Sequence, residues 1–278
     1  PFFTVSTSCV GILTVILSGE SMVSQGTSVS VISDGTLMID GGTLFGQVAK
    51  TEWETKIKPD RKNRVRIAIN TLLVETPTKN ILIDVGAGSK RPEKLKDKYG
   101  LNRNKLLRGL KNAGLTARDI DAVVLTHLHF DNAGGSTKLD RSGNAVATFP
   151  KAEYFVQSAA WEEANNPNER SSGLYNPDDF VPIEKSGLLK LIDGECEIGP
   201  GVRTKLTGGH TEGHQVVLIE AGSERLVFTG GLIPTHQHIA SNTIASFDQS
   251  PNQTLSNKKE IVDMATVSYT HLTLPTKA

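Results

Sequence analysis

The segment Thr126-His127-Leu128-His129-Phe130-Asp131-Asn132-Ala133-Gly134-Gly135 constrains this chain more than any other. It follows Ala122 to Leu125, a short apolar run that reads as a buried strand. Neutral imidazoles are good donors to a divalent ion such as zinc, and two of them one residue apart at a strand end can reach the same ion from a turning backbone. Asp131 adds a hard oxygen ligand or a proton carrier, and the Gly134-Gly135 pair predicts a tight turn just after it. A lone His-x-His carries little information. With the aspartate, the glycines and the preceding strand, it points to a metal-handling loop at a sheet edge, with His127, His129 and Asp131 as candidate ligands and Asp131 as the candidate acid/base.

Thirty basic and thirty acidic residues leave the 278-residue chain with no net charge, so electrostatics offers no case for a nucleic-acid or anionic-membrane partner. A neutral small molecule fits better. Hydrophobic residues at 37% describe an ordinary globular protein, and no apolar run approaches the roughly 20 residues of a spanning helix. Cys9 and Cys196 lack metal or redox spacing, so neither a thiolate site nor a disulfide is expected. No basic, apolar and cleavable leader is visible, which leads to a cytoplasmic expectation.

Both ends read as foreign to the fold. Residues 1–21 look like upstream or non-native sequence, with Met22 as the expected start, and Val267 to Thr276 (VSYTHLTLPT) resembles a translated sequencing adapter, so that 267–278 form an expected tail. One domain, 22–266, remains. In it Ser28 to Asp40 reads as two short strands joined by a hairpin at Asp34-Gly35, and Arg66 to Glu75 with Asn80 to Val85 reads as a second hairpin. A helical pattern places Leu106, Leu107 and Leu110 on one face, with Gly114 as its cap. Strands are predicted over Glu153–Gln157, Val202–Thr207, Gln215–Glu220 and Arg225–Phe228, and helices over Ser158–Ala164, capped by its serine, and Lys258–Ala265. The Asn- and Pro-rich stretch Asn165 to Asp179 reads as a loop, either a solvated connection, the commoner case, or a lid or wall of a pocket. Mostly antiparallel strands with interspersed helices predict a layered α/β (α+β) domain.

The first motif resembles the THxHxDHxGG signature of the metallo-β-lactamase superfamily at every defined position except one, where Asn132 stands for histidine. Gly209-His210-Thr211-Glu212-Gly213-His214 is similar to the family's GHTxGH segment, in which the first histidine is a ligand. The resemblance implies a four-layer αββα sandwich with the site at one edge of the sheets. It also implies a metal position held by His127, His129 and His210, an arrangement in which a zinc ion brings the pKa of water to about 7. The family's bridging aspartate follows a Thr-Gly pair, yet here the stretch reads Thr229-Gly230-Gly231-Leu232. One zinc is therefore expected instead of the family's two. His214 is expected to be structural, His236 and His238 to lie on a pocket loop, and Asp84 to be either a turn carboxylate or a partner that orients a histidine.

Asp40 to Gly46 and Leu232 to His236 look like the subgroup of N-acyl-homoserine lactonases and organophosphate-hydrolysing relatives, although Pro234 replaces the tyrosine of the best-known lactonases. The expected function is metal-dependent hydrolysis of a small ester or lactone, impaired by Asn132 and Gly231. The alternatives are a non-catalytic binding protein on the same fold, a glyoxalase-type thioesterase or a β-lactamase.

Overall fold

The computed structural model describes residues 3–6, 12–16, 21–24, 26–90, 93–101, 105–268 and 271–273. Its first sheet is built on β3 (Ser21–Ser24), β4 (Thr27–Asp40), β5 (Arg64–Glu75), β6 (Asn80–Ile83), β7 (Ala122–Val124), β10 (Glu153–Gln157) and β11 (Leu189–Ile192). These lie in the spatial order β11-β10-β7-β6-β5-β4-β3. The β3 to β6 half is antiparallel, whereas β6, β7, β10 and β11 pair parallel, so this sheet is mixed. The second sheet contains β1 (Phe3–Ser6), β2 (Ile12–Ile16), β12 (Glu197–Gly199), β13 (Val202–Leu206), β14 (Gln215–Ala221), β15 (Glu224–Phe228) and β16 (His271–Thr273). Its order is β1-β2-β16-β15-β14-β13-β12. A separate hairpin joins β8 (Thr137–Leu139) to β9 (Ala145–Ala147).

The two sheets face each other through a shared apolar layer. Val29, Val31, Leu72, Val74, Ile81 and Ile83 from the first meet Val202, Val217, Ile219, Leu226 and Phe228 from the second. Full burial of each such side chain contributes about 1.5–3 kcal/mol relative to exposure. On the outer face of the first sheet, Leu73, Leu82 and Val123 pack against Leu106 and Leu110 of α4 (Leu106–Asn112) and Ala160, Trp161 and Ala164 of α6 (Ser158–Asn165). On the outer face of the second, Val216, Leu218 and Val227 meet Ile261 and Ala265 of α8 (Pro251–Ser268). Strands with both faces buried between such layers give the αββα order.

Several local expectations change. Asp34-Gly35 is not a hairpin turn: β4 runs unbroken for 14 residues, and its pairing to β5 skips from Ser33↔Asn70 to Gly35↔Ile69, which leaves Asp34 as a bulge. The bulge turns the Asp34 carboxylate inward, where Oδ1 accepts the amides of Lys105 and Leu106 at 3.0 and 2.9 Å and Oδ2 that of Ala87 at 3.1 Å. A tertiary use of the side chain overrides the turn preference of the pair. Leu107 points outward and is exposed, while Leu106 and Leu110 carry the packing. Gln157, not Ser158, occupies the N-cap of α6 without a side-chain bond, and the Ser158 hydroxyl instead donates to Ile192 O at 3.4 Å. The terminal helix begins earlier than expected, at Pro251, whose fixed φ suits a first helical turn. Cys196 is a free thiol, and Cys9 lies outside the described residues.

Candidate metal centre

The loops that carry chemistry leave the same edge of both sheets. Val124 ends β7, and Thr126 to His129 follow directly, before the short helix α5 (Phe130–Ala133). Gly208 to His214 connect β13 to β14, and Gly230-Gly231 follow β15. The two sheets are tied at this edge: Gln215 N–H donates to Thr126 O at 2.9 Å, and the Gln215 amide donates to Leu125 O at 2.8 Å. The Gly134-Gly135 pair serves a close approach, not a positive φ. A Cβ at 135 would sit 2.0 Å from the Val85 carbonyl oxygen, so only glycine lets these two backbones touch.

His127, His129 and His210 are buried together, each offering a nitrogen within 4.8 Å of the others. The outer hydrogen bonds of two of them set their tautomers. Asp84 sits at φ 55°, a conformation rare outside glycine, and from there accepts the Thr126 amide at 2.8 Å and the Thr126 hydroxyl at 2.9 Å. With Asp84 ionised, Thr126 donates its hydroxyl proton there, and Oγ1 accepts from His127 Nδ1 at 2.9 Å. Asp248 accepts from His210 Nδ1 at 2.8 Å. Both Nε2 atoms therefore carry lone pairs, and they face each other 3.2 Å apart. Two lone pairs so placed repel unless a cation lies between them. Tetrahedral zinc with Zn–N bonds of about 2.0–2.1 Å separates its ligand nitrogens by about 3.3 Å, so the spacing fits a shared ion.

Burial is the main reason that His127 and His129 are held well below the ordinary histidine pKa, with the neighbouring imidazoles adding to it. Neutral rings are what a metal requires. Asp84 is pushed up to about 7 by burial, against hydrogen bonds from the Thr126 amide and from Asn132.

The replaced positions behave differently from ligands. Asn132 Nδ2 donates to Asp84 Oδ2 at 2.7 Å, which engages its amide with a structural carboxylate. Gly231 offers no donor, and a Cβ there would come within 2.4 Å of the His210 ring, which leans into the space an aspartate side chain needs. Among the described residues, the donor atoms close enough to share an ion are those of His127, His129 and His210. Asp131 lines the same cavity, outside the set of mutually close donor atoms.

His214 is fully buried 5.4 Å from the His127 ring, with Nδ1 held by Thr207 Oγ1 at 2.7 Å. His236 is exposed. His238 has both nitrogens engaged, Nδ1 with Thr235 Oγ1 at 2.7 Å and Nε2 with Leu44 O at 2.8 Å, and it stacks on Phe45; neither His236 nor His238 lines the cavity. Asp248 and Asp34 were not legible as site or scaffold carboxylates, because each acts on a partner at least 38 residues away and no local pattern marks it.

The histidines open into a cavity of about 320 Å³, at the small end of ligand pockets, which hold about 300–1,000 Å³. Leu37, Ile39, Ile67, Ile69, Tyr99, Phe130 and Phe247 make it mainly apolar. Arg170, Gly173 and Leu174 from the 165–179 loop close one side. Tyr175 of the same loop lies 5.0 Å from the His129 ring, and its hydroxyl is held by Glu163.

Comparison with known proteins agrees with this architecture. A crystal structure of a Staphylococcus aureus protein, described as a probable metal-dependent hydrolase, superposes with a TM-score of 0.82 at 30% identity, covering 88% of this chain and 87% of that one. AidC, a dizinc quorum-quenching lactonase in complex with a product, shares the fold at a TM-score of 0.74 and 22% identity, covering 91% and 90% of the two chains. An N-acyl homoserine lactonase of Bacillus sp is 31% identical over 163 residues, 53% of this chain and 56% of that protein. The chain thus spans a little over half the length of that relative. The model of the metallo-β-lactamase superfamily matches residues 64–269, and with the sandwich and its edge histidines in place, the chain belongs to that superfamily.

Proposed function

We propose that this chain is a metal-dependent hydrolase of a small ester or lactone, with a single zinc held by His127, His129 and His210. The observation that carries the reading is the buried cluster of His127, His129 and His210, with the Nε2 atoms of His127 and His210 facing each other 3.2 Å apart beside an apolar cavity. A zinc ion in such a position supplies a Lewis acid that acidifies water and polarises a carbonyl. The rest of the chemistry belongs to the chain. Asp84 through Thr126, and Asp248 directly, fix the rings of His127 and His210. Asp131 lines the cavity next to the histidines, where its carboxylate can take a proton from water and return it to the leaving alcohol. The apolar walls hold the substrate and limit bulk water. The N-acyl homoserine lactonase names of several relatives support a lactone as the first substrate to try.

Elemental analysis of purified protein tests the metal, and hydrolysis of N-hexanoyl-homoserine lactone and p-nitrophenyl acetate tests the reaction. The expected result is about one zinc per chain, lost together with hydrolysis in His127→Ala and His210→Ala. A folded protein without metal would overturn the reading. Zinc without hydrolysis would favour the binding-protein alternative, to which the absent second ligand set at Asn132 and Gly231 lends support.

A further inference from the structure

Two of the three clustered histidines are fixed by a hydrogen bond on the ring, His127 by Thr126 and His210 by Asp248. His129 is met by rings instead: those of His127 and His210 at 4.5 and 5.0 Å, and that of Tyr175 at 5.0 Å. Of these, only Tyr175 comes from outside the donor set, so its ring is the external support of His129. Tyr175 is anchored in turn by Glu163 of α6, whose Oε1 accepts from its hydroxyl. The same carboxylate accepts from the Gln249 side-chain amide and, through Oε2 at 2.8 Å, from the backbone N–H of Glu212. Glu212 lies two residues after His210. Gln249 follows Asp248, and its N–H donates to Gly209 O at 3.0 Å, directly before His210. A carboxylate that does not line the cavity thus joins the support of His129 to both segments that set His210.

The loop carrying Tyr175 has other anchors. Arg170 donates to Ser246 O and Asp248 O, and Lys90 pairs with the buried Asp179 at 3.0 Å while donating to Gly134 O at 2.6 Å. What Glu163 adds is the place of the Tyr175 ring and of the Glu212 amide. We propose that Glu163 is a positioning residue of the metal centre, which through Tyr175, Glu212 and Gln249 holds His129 and His210 at the mutual spacing that one ion requires. The inference rests on reading the three histidines as a zinc site and names what keeps them arranged. Glu163 itself touches neither metal nor substrate. Groups that orient ligands in this way change metal affinity about 10- to 100-fold when removed.

The test measures zinc dissociation constants by competition with a chromophoric chelator, at a temperature where circular dichroism shows every variant folded. Glu163→Ala, which places a good helix former in α6, should weaken zinc about tenfold or more and shift the visible bands of the cobalt-loaded protein. Glu163→Gln should recover most of the loss, because its oxygen can meet the Glu212 N–H while its NH2 group turns to the Tyr175 oxygen. Tyr175→Phe keeps the ring and removes only its anchor; it should weaken zinc about threefold or more, and it serves if the alanine variant does not fold. Joined with Glu163→Ala it should add no further loss, since both act on one chain of contacts. Unchanged affinity and cobalt bands in Glu163→Ala, no recovery in Glu163→Gln, or additive losses in the double variant overturn the proposal. Wild type without affinity for zinc would sink the metal reading itself, whereas zinc bound equally by every variant sinks only the role of Glu163.

Discussion

At the scale of single residues, Asn132 and Gly231 are where the proposal of a single zinc is tested. Gly231→Asp alone brings a Cβ to within 2.4 Å of the His210 ring, so the ring must give way, and overpacking of this kind costs about 1–3 kcal/mol. The variant is therefore expected to melt lower than wild type without metal and to recover with added zinc, because an aspartate between two ions is stabilised where an aspartate against an imidazole is not. Thermal melts with and without zinc check this. Joined with Asn132→His, it should raise the zinc content from about one to about two per chain and raise the lactonase rate. No gain in metal would mean that His210 and Asp84 have settled into an arrangement that the two substitutions do not reverse. The donors His127, His129 and His210 could be named from their motifs, since ligand chemistry is a property of residue type. The tautomers could not, because they depend on Asp84 and Asp248, which folding brings up from 43 positions before His127 and 38 positions after His210.

At the scale of elements, Asp34 shows how one strand positions a helix and a loop. Its carboxylate bonds the first amides of α4 and the backbone after β6, so removing it leaves several N–H groups without a partner. Asp34→Ala is expected to lose about 3 kcal/mol of stability, read from denaturant midpoints. Burial raises the Asp34 pKa to about 6, above the roughly 3.9 of an unfolded aspartate. The folded state then binds the proton more tightly, so this residue's contribution to stability falls as pH rises from about 4 to about 6. Asp34→Asn should remove that component, seen as a difference in slope between variant and wild type over the same window. The β5–β6 hairpin, β7, β10 and the β13–β15 meander were legible, because their alternating or continuous apolar runs match what a half-buried or buried strand requires. The bulge in β4 was not, since Asp-Gly suits a hairpin as well as a bulge and only the partner strand and α4 distinguish them.

At the scale of the whole molecule, the candidate site lies on loops from both sheets, so a metal held there clamps the sandwich together. Binding to the folded state alone contributes about 2.7 kcal/mol at a hundredfold excess over Kd. Stripping the protein with a chelator is thus expected to lower Tm by about 5 °C, and readdition of zinc to restore it. An unchanged melt across chelation would argue against a site that bridges the sheets. No helix among the described residues is long and apolar enough to cross a membrane. By itself the sequence determined the layered class and marked the histidine-bearing motifs, because motifs and apolar periodicity are local properties of the chain. Only the tertiary structure decided that His210 meets His127 across 83 residues, that its ring fills the space beside Gly231, and that Glu163 gathers Tyr175, Glu212 and Gln249. Those facts depend on distances between distant segments, which close packing of the two sheets sets and no local pattern encodes.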